Sequence, residues 1–79
     1  MNDTEKMVRE ELGKIIGKDT SDIPKDANLM EDVGLDSLNV LEVFGMVEGK
    51  FNVVVEPEKI SELRTIEDIV NIIESNKKT

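Results

Sequence analysis

The sequence predicts an all-α fold: a small four-helix bundle, three longer helices and one short one, with a long ordered loop between the first two. Three observations predict it. Apolar residues recur at helical spacing in three separated stretches. These stretches are bounded by residues that start or stop helices. The one run with strand character, valines 53–55, has no second strand to pair with. At 79 residues the chain has room for one domain, read as 1–79 with a fraying tail at 76–79. So small a domain buries about 60% of its unfolded surface, which disfavours a deep, preformed substrate cavity.

In the first helix, residues 4–16, Val8, Leu12, Ile15 and Ile16 share one face and Gly17 is the stop. The nineteen residues that follow, KDTSDIPKDANLMEDVGLD, are too many for an ordinary connector. Ile23, Leu29 and Val33 are spaced through them like anchors, so the loop is expected to drape over the core. The second helix covers residues 37–50. A short helical turn is expected at 57–61, with Pro57 at the first helical position, where a missing N–H costs little. The last helix opens on Thr65 with Asp68 three residues on, close to a capping box, and carries the stripe Ile66, Ile69, Val70 and Ile73. There are no internal repeats.

At 100° per residue, Val40, Val43, Phe44, Val47 and Phe51 of the second helix fall in one sector and are expected to be buried. The neighbouring sector holds Leu38, Leu41, Glu42, Gly45, Glu48 and Gly49, a mixture unsuited to a core. Glycine within a helix costs roughly 0.5–1 kcal/mol relative to alanine. Gly45 and Gly49 therefore suggest either close approach by a partner or a tolerant solvated face.

Ten Lys+Arg against eighteen Asp+Glu leave a net charge of −8, a field that repels nucleic acid and attracts basic protein surfaces. With no Cys and no His, disulfides, thiolate chemistry, the usual zinc sites and His-based triads are all excluded. Any thiol must come from an attached group. The N-terminal MNDTEKMVRE has no apolar core of a signal sequence and no stretch reaches membrane-spanning length, so a cytoplasmic location without membrane insertion is expected. Asp26 and Asn28 fit the first two positions of a calcium loop, but Met30 occupies the third and the loop glycine is missing; no metal site is assigned.

Asp36 or Ser37 can cap the second helix, and an Asp-Ser pair before a helix is most often only that. Ser37 does not sit in a G-x-S-x-G elbow and has no histidine to take its proton, so the chain cannot activate it as a nucleophile. Another enzyme can modify it. A phosphate-linked group would suit a helix N-terminus, whose exposed N–H groups and partial positive charge stabilise an anion by about 0.3–1 kcal/mol near the surface.

Residues 31–51, EDVGLDSLNVLEVFGMVEGKF, resemble the core signature of acyl carrier proteins of the stand-alone bacterial type. Asp36, Ser37 and Leu38 match the Asp-Ser-Leu motif, Gly34 stands two positions before Asp36, and Glu31 and Asp32 form the acidic pair ahead of it. The likeness extends over nearly the whole chain, from the first helix and long loop to a helix ending near Phe51 and a last helix opening with RTIEDIV. It implies a four-helix carrier that is not an enzyme. A phosphopantetheinyl transferase, the holo-acyl-carrier-protein synthase, would attach 4′-phosphopantetheine from coenzyme A to Ser37, and the arm would supply the thiol that holds acyl groups as thioesters.

The resemblance also implies a surface after the motif serine, here Leu38, Leu41, Glu42, Gly45 and Glu48, read by acyl-loading, acyl-transfer or condensing enzymes with basic surfaces. The carrier is expected to be a monomer serving fatty acid or specialised lipid or polyketide biosynthesis. Asn39 after the motif, and Gly45, Gly49 and Lys50 where bulky apolar residues or acids are common, depart from the denser acidic run of fatty acid carriers. A specialised carrier is therefore an alternative to the housekeeping one. An aminoacyl-type carrier and an unmodified acidic interaction module are further alternatives.

Overall fold

A computed structural model describes residues 3–76; the part of the expected tail beyond Asn76 lies outside the described residues. Helix α1 spans Asp3–Ile16 and α2 spans Ser37–Phe51; a 3₁₀ helix at Pro57–Glu62 precedes α3, Ile66–Ser75. No strand occurs among the described residues. Helix α1 packs against both α2 and α3, while α2 and α3 meet more lightly.

Acids in the first turn of α1, Asp3 and Glu5, and Lys14 in its last turn complement the helix dipole. Val8 and Leu12 are wholly buried, and Ile15 and Ile16 pack half-buried at the end of the same stripe. The chain then doubles back, with Gly17 and Lys18 both donating their backbone N–H to Gly13 O at 2.8 and 3.2 Å. A Cβ on Gly13 would lie 2.8 Å from Lys18 O, so only glycine permits this return. Gly13 has no such role in the sequence reading, because the approach comes from a residue outside the helix.

The long loop is ordered by groups that periodicity does not reveal. Buried Arg9 donates through Nη1 to Thr20 O (2.7 Å) and Ile23 O (2.8 Å) and through Nε to Glu5 Oε2 (3.0 Å); buried Thr20 returns its hydroxyl to Arg9 O (2.7 Å). Of the expected anchors, Leu29 is buried, while Ile23 and Val33 are half-buried against the core. Leu35, not among them, is buried too. Midway along, the loop is tied to the start of α3 and the residues before it, with Leu29 N–H donating to Arg64 O (2.8 Å) and Glu67 N–H to Lys25 O (3.0 Å).

In α2, Val43, Phe44 and Val47 are buried as expected, but Val40 and Phe51 are only half-buried. Val40 forms part of a surface groove, and Phe51 is the last helical residue, where the chain turns away through the left-handed Asn52 (φ 54°). Met46 joins them half-buried against the core. The valine run is loop, with Val53 and Val55 buried and Val54 outside. Pro57 opens the 3₁₀ helix, which ends one residue later than the expected 61. Thr65 and Asp68 form the expected capping box, and Ile66, Ile69, Val70 and Ile73 are all buried.

Candidate functional site

The Asp-Ser pair divides its work between two residues. Asp36 is the N-cap of α2: its Oδ1 accepts the N–H of Asn39 at 2.8 Å, while Asn39 Oδ1 accepts the N–H of Asp36 at 3.2 Å. This is a capping box with asparagine at its third helical position. Asn39, a departure when read for charge, is here half of the cap; the sequence signal was present in its three-residue spacing from Asp36, but the usual partner is Glu or Gln. Ser37 is therefore not the cap. It is the first residue of the helix, exposed, and its hydroxyl enters none of the hydrogen bonds among the described residues.

The approach to Ser37 is held by hydrogen bonds within the loop. Asp32 Oδ2 accepts the N–H of Asn28 (2.8 Å), and Asn28 Oδ1 accepts those of Met30 and Glu31 (2.9 and 2.8 Å), closing the acidic stretch on itself. Leu35 N–H donates to Leu29 O at 2.9 Å while both side chains are buried, so the residues before the motif are held from inside. Gly34, with φ +97°, supplies a turn that other residues rarely adopt.

The helix end itself favours an anion. Val40 N–H makes the first intrahelical bond, to Asp36 O at 3.1 Å, so the N–H groups of Ser37 and Leu38 lie ahead of the ladder. Helices α1 and α3 fill their first turns with acids, Asp3 and Glu5 in one and Glu67 and Asp68 in the other; α2 has none. In a chain with eighteen carboxylates, the positive end of α2 beside Ser37 has the Asp36 cap and no acid in its own first turn. The residues present thus fit a phosphodiester on Ser37, with an exposed hydroxyl to bear it and helix N–H groups beside it.

The sector beyond Ser37 is exposed at every position: Leu38 (64%), Leu41 (60%), Glu42, Gly45, Glu48 and Gly49. Exposure this high in two leucines one turn apart leaves apolar surface next to the motif serine. Glu42 Oε1 accepts from Asn39 Nδ2 at 3.4 Å, and Glu48 Oε2 accepts the N–H of Val55 at 3.3 Å, fixing the 53–55 segment to α2. A Cβ added at Gly45 or Gly49 would meet nothing within 4 Å, so the chain's own packing does not require glycine at either position. Among the described residues, no three acidic side chains gather as a metal-holding group, and no helix is long and apolar enough to cross a membrane.

Residues 6–73 match the family model for the phosphopantetheine attachment site. An acyl carrier protein of Exiguobacterium sibiricum is 35% identical over 86% of each chain, and one of another Exiguobacterium species is 37% identical over the same shares. The acyl carrier protein of Wolinella succinogenes is 32% identical over 89% of this chain and 92% of its own. In fold, the chain is similar to the apo doublet acyl carrier protein from prodigiosin biosynthesis in solution, with a TM-score of 0.81 at 21% identity, over 96% of this chain and 37% of that one. Matched over most of its length by the attachment-site model and by these relatives, the all-helical chain belongs to the acyl carrier proteins, which bear covalent 4′-phosphopantetheine and are carriers, not enzymes.

Proposed function

We propose that Ser37 is the attachment residue and that Asp36 and Leu38 frame it for the transferase. The observation that carries this reading is the exposed hydroxyl, without a hydrogen-bond partner among the described residues, at the first position of a box-capped helix with no acid in its first turn. In the modification, Ser37 Oγ displaces adenosine 3′,5′-bisphosphate from coenzyme A and forms a phosphodiester. The hydroxyl proton passes to a base of the transferase, since this chain has no histidine. Once attached, the arm supplies the thiol that holds acyl groups as thioesters. The chain's own part is to cap the helix through Asp36 and Asn39, keep the loop before the motif fixed, and offer Ser37 without a competing hydrogen bond.

We further propose that Leu38, Leu41, Glu42, Gly45 and Glu48 form one docking face for the transferase and the acyl-handling enzymes. Leu38 and Leu41 would be buried beside the modified serine, and Glu42 and Glu48 would meet basic side chains at the rim. The protein works as a monomeric single-domain carrier in the cytoplasm, in fatty acid or specialised acyl biosynthesis. The test is intact mass after incubation with coenzyme A and a broad-specificity phosphopantetheinyl transferase: one phosphopantetheine per chain is expected, and no addition under any such condition would refute the reading.

A further inference from the structure

A groove of about 520 Å³ runs between the loop, α2 and the 3₁₀ helix, within the roughly 300–1,000 Å³ of small-molecule sites. Its apolar lining comes from Leu29, Met30, Val40, Ile60 and Leu63, and Arg64 stands at the 3₁₀ side. Met30 and Ile60 remain 50% and 37% exposed there, so the groove is open apolar surface and not closed core. Val40 is three residues, about 4.5 Å along the helix axis, from Ser37. The attachment point of an arm on Ser37 is therefore within a helical turn of this groove.

The chain has two arginines, and they are used differently. Arg9 is buried and spends its donors on Glu5, Thr20 and Ile23. Arg64 is exposed; its Nε donates to Ser61 O at 3.2 Å, and its guanidinium enters none of the ion pairs among the described residues. Its terminal nitrogens enter no hydrogen bond or ion pair among the described residues. Its backbone is fixed, since Arg64 N–H donates to Asp68 Oδ2 (3.0 Å) and Arg64 O accepts from Leu29 N–H (2.8 Å). The Asp68 carboxylate also accepts the N–H of Thr65 (3.1 Å), so it is engaged in the cap. Glu31 lines the loop side of the same groove. An anion is therefore repelled from the loop side and attracted to the Arg64 side, where a guanidinium fork matches a carboxylate.

We infer that Arg64 is a specificity residue for the cargo: the groove holds an acyl group whose far end is a carboxylate, and the guanidinium pairs with it. This rests on Ser37 bearing the arm. The experiment compares the chain loaded by transferase from butyryl-coenzyme A and from succinyl-coenzyme A, acyl groups of equal carbon number that differ in the terminal carboxylate. Intact mass first establishes loading at Ser37. Amide NMR shifts of Leu29, Ile60 and Arg64 and the rate of thioester hydrolysis then report on the groove. The succinyl form is expected to shift these amides beyond the butyryl form. Arg64→Gln should remove that difference and speed succinyl hydrolysis about two- to fivefold, the size expected of a partly exposed ion pair; Arg64→Lys should retain part of the effect.

If Arg64→Gln does not fold, as judged by far-UV circular dichroism, the wild-type comparison of cargoes and Arg64→Lys decide. Equal responses to the two cargoes, or succinyl shifts that survive in Arg64→Gln, would overturn the inference and leave Ser37 as the attachment residue untouched. Failure to load any arm would instead remove the Ser37 reading and this inference with it.

Discussion

Helices α2 and α3 begin alike and end up facing opposite environments. Each opens on an extended N-cap whose side chain accepts the N–H three residues on, and in each that third residue returns a side-chain oxygen to the cap's own N–H. At the first helical position α3 places Ile66, with no exposed surface, and fills its first turn with Glu67 and Asp68. At the same position α2 places Ser37 in solvent and leaves its first turn free of acids. The cap therefore serves two ends: in α3 it anchors a core residue, and in α2 it satisfies the helix so that the next hydroxyl is left available. On the reading proposed for Ser37, what distinguishes a site from a structural helix start is what the cap leaves unused.

The largest effect on stability should come from breaking the α3 side of this comparison. Ile66→Ala is expected to cost about 2–5 kcal/mol, as for other fully buried large-to-small changes, whereas Ser37→Ala should stay within about 0.5 kcal/mol, the range of surface substitutions. Chemical denaturation of both variants checks this; a Ser37→Ala cost comparable to that of Ile66→Ala would mean that the serine is structural. The two caps should fall between, with Asp36→Ala and Thr65→Ala each costing about 0.5–2 kcal/mol. Asp36→Ala should in addition slow phosphopantetheine transfer, because it loosens the turn that presents Ser37, and transfer at the wild-type rate would separate the cap from the site.

Smaller effects sharpen the docking face. Gly45→Ala should stabilise the free helix by up to roughly 1 kcal/mol, since the added methyl meets nothing, and slow loading if partners approach the backbone there. Loading kinetics as fast as wild type with every enzyme tried would assign the glycines to a tolerant solvated face. Glu42→Lys should lower association rates with an effect that shrinks as salt rises, while Leu41→Ala should raise dissociation at all salt concentrations. The smallest expected change is the thermal midpoint at pH 7. It should rise between very low salt and about 0.15 M, where the Debye length is about 8 Å, because salt screens the self-repulsion of a chain with net charge −8. A flat or falling midpoint would show local pairing of the acids.

Periodicity made the three α-helices, their boundaries to within a residue and the exposed Leu38–Leu41 sector legible, because each depends on residues three and four apart. The motif singled out Ser37, the attachment residue proposed above. What escaped lies in contacts that sequence spacing does not encode: the Arg9 clasp on Thr20 and Ile23, eleven and fourteen residues away, and the return of Lys18 over Gly13. The division of labour between Asp36 and Ser37 escaped for another reason. Either residue type can cap a helix, and only the hydrogen bond to Asn39 N–H decides which one does.

The central claim is that Ser37 is spare to the fold and required for the chemistry. Its most direct test treats wild type and Ser37→Ala with coenzyme A and a broad-specificity transferase, then measures intact mass and maps the modified peptide. One phosphopantetheine on wild type, placed on Ser37, with none on a Ser37→Ala protein of unchanged helicity, is the result expected. Phosphopantetheine persisting on Ser37→Ala, or mapped to another residue of the wild type, would contradict it.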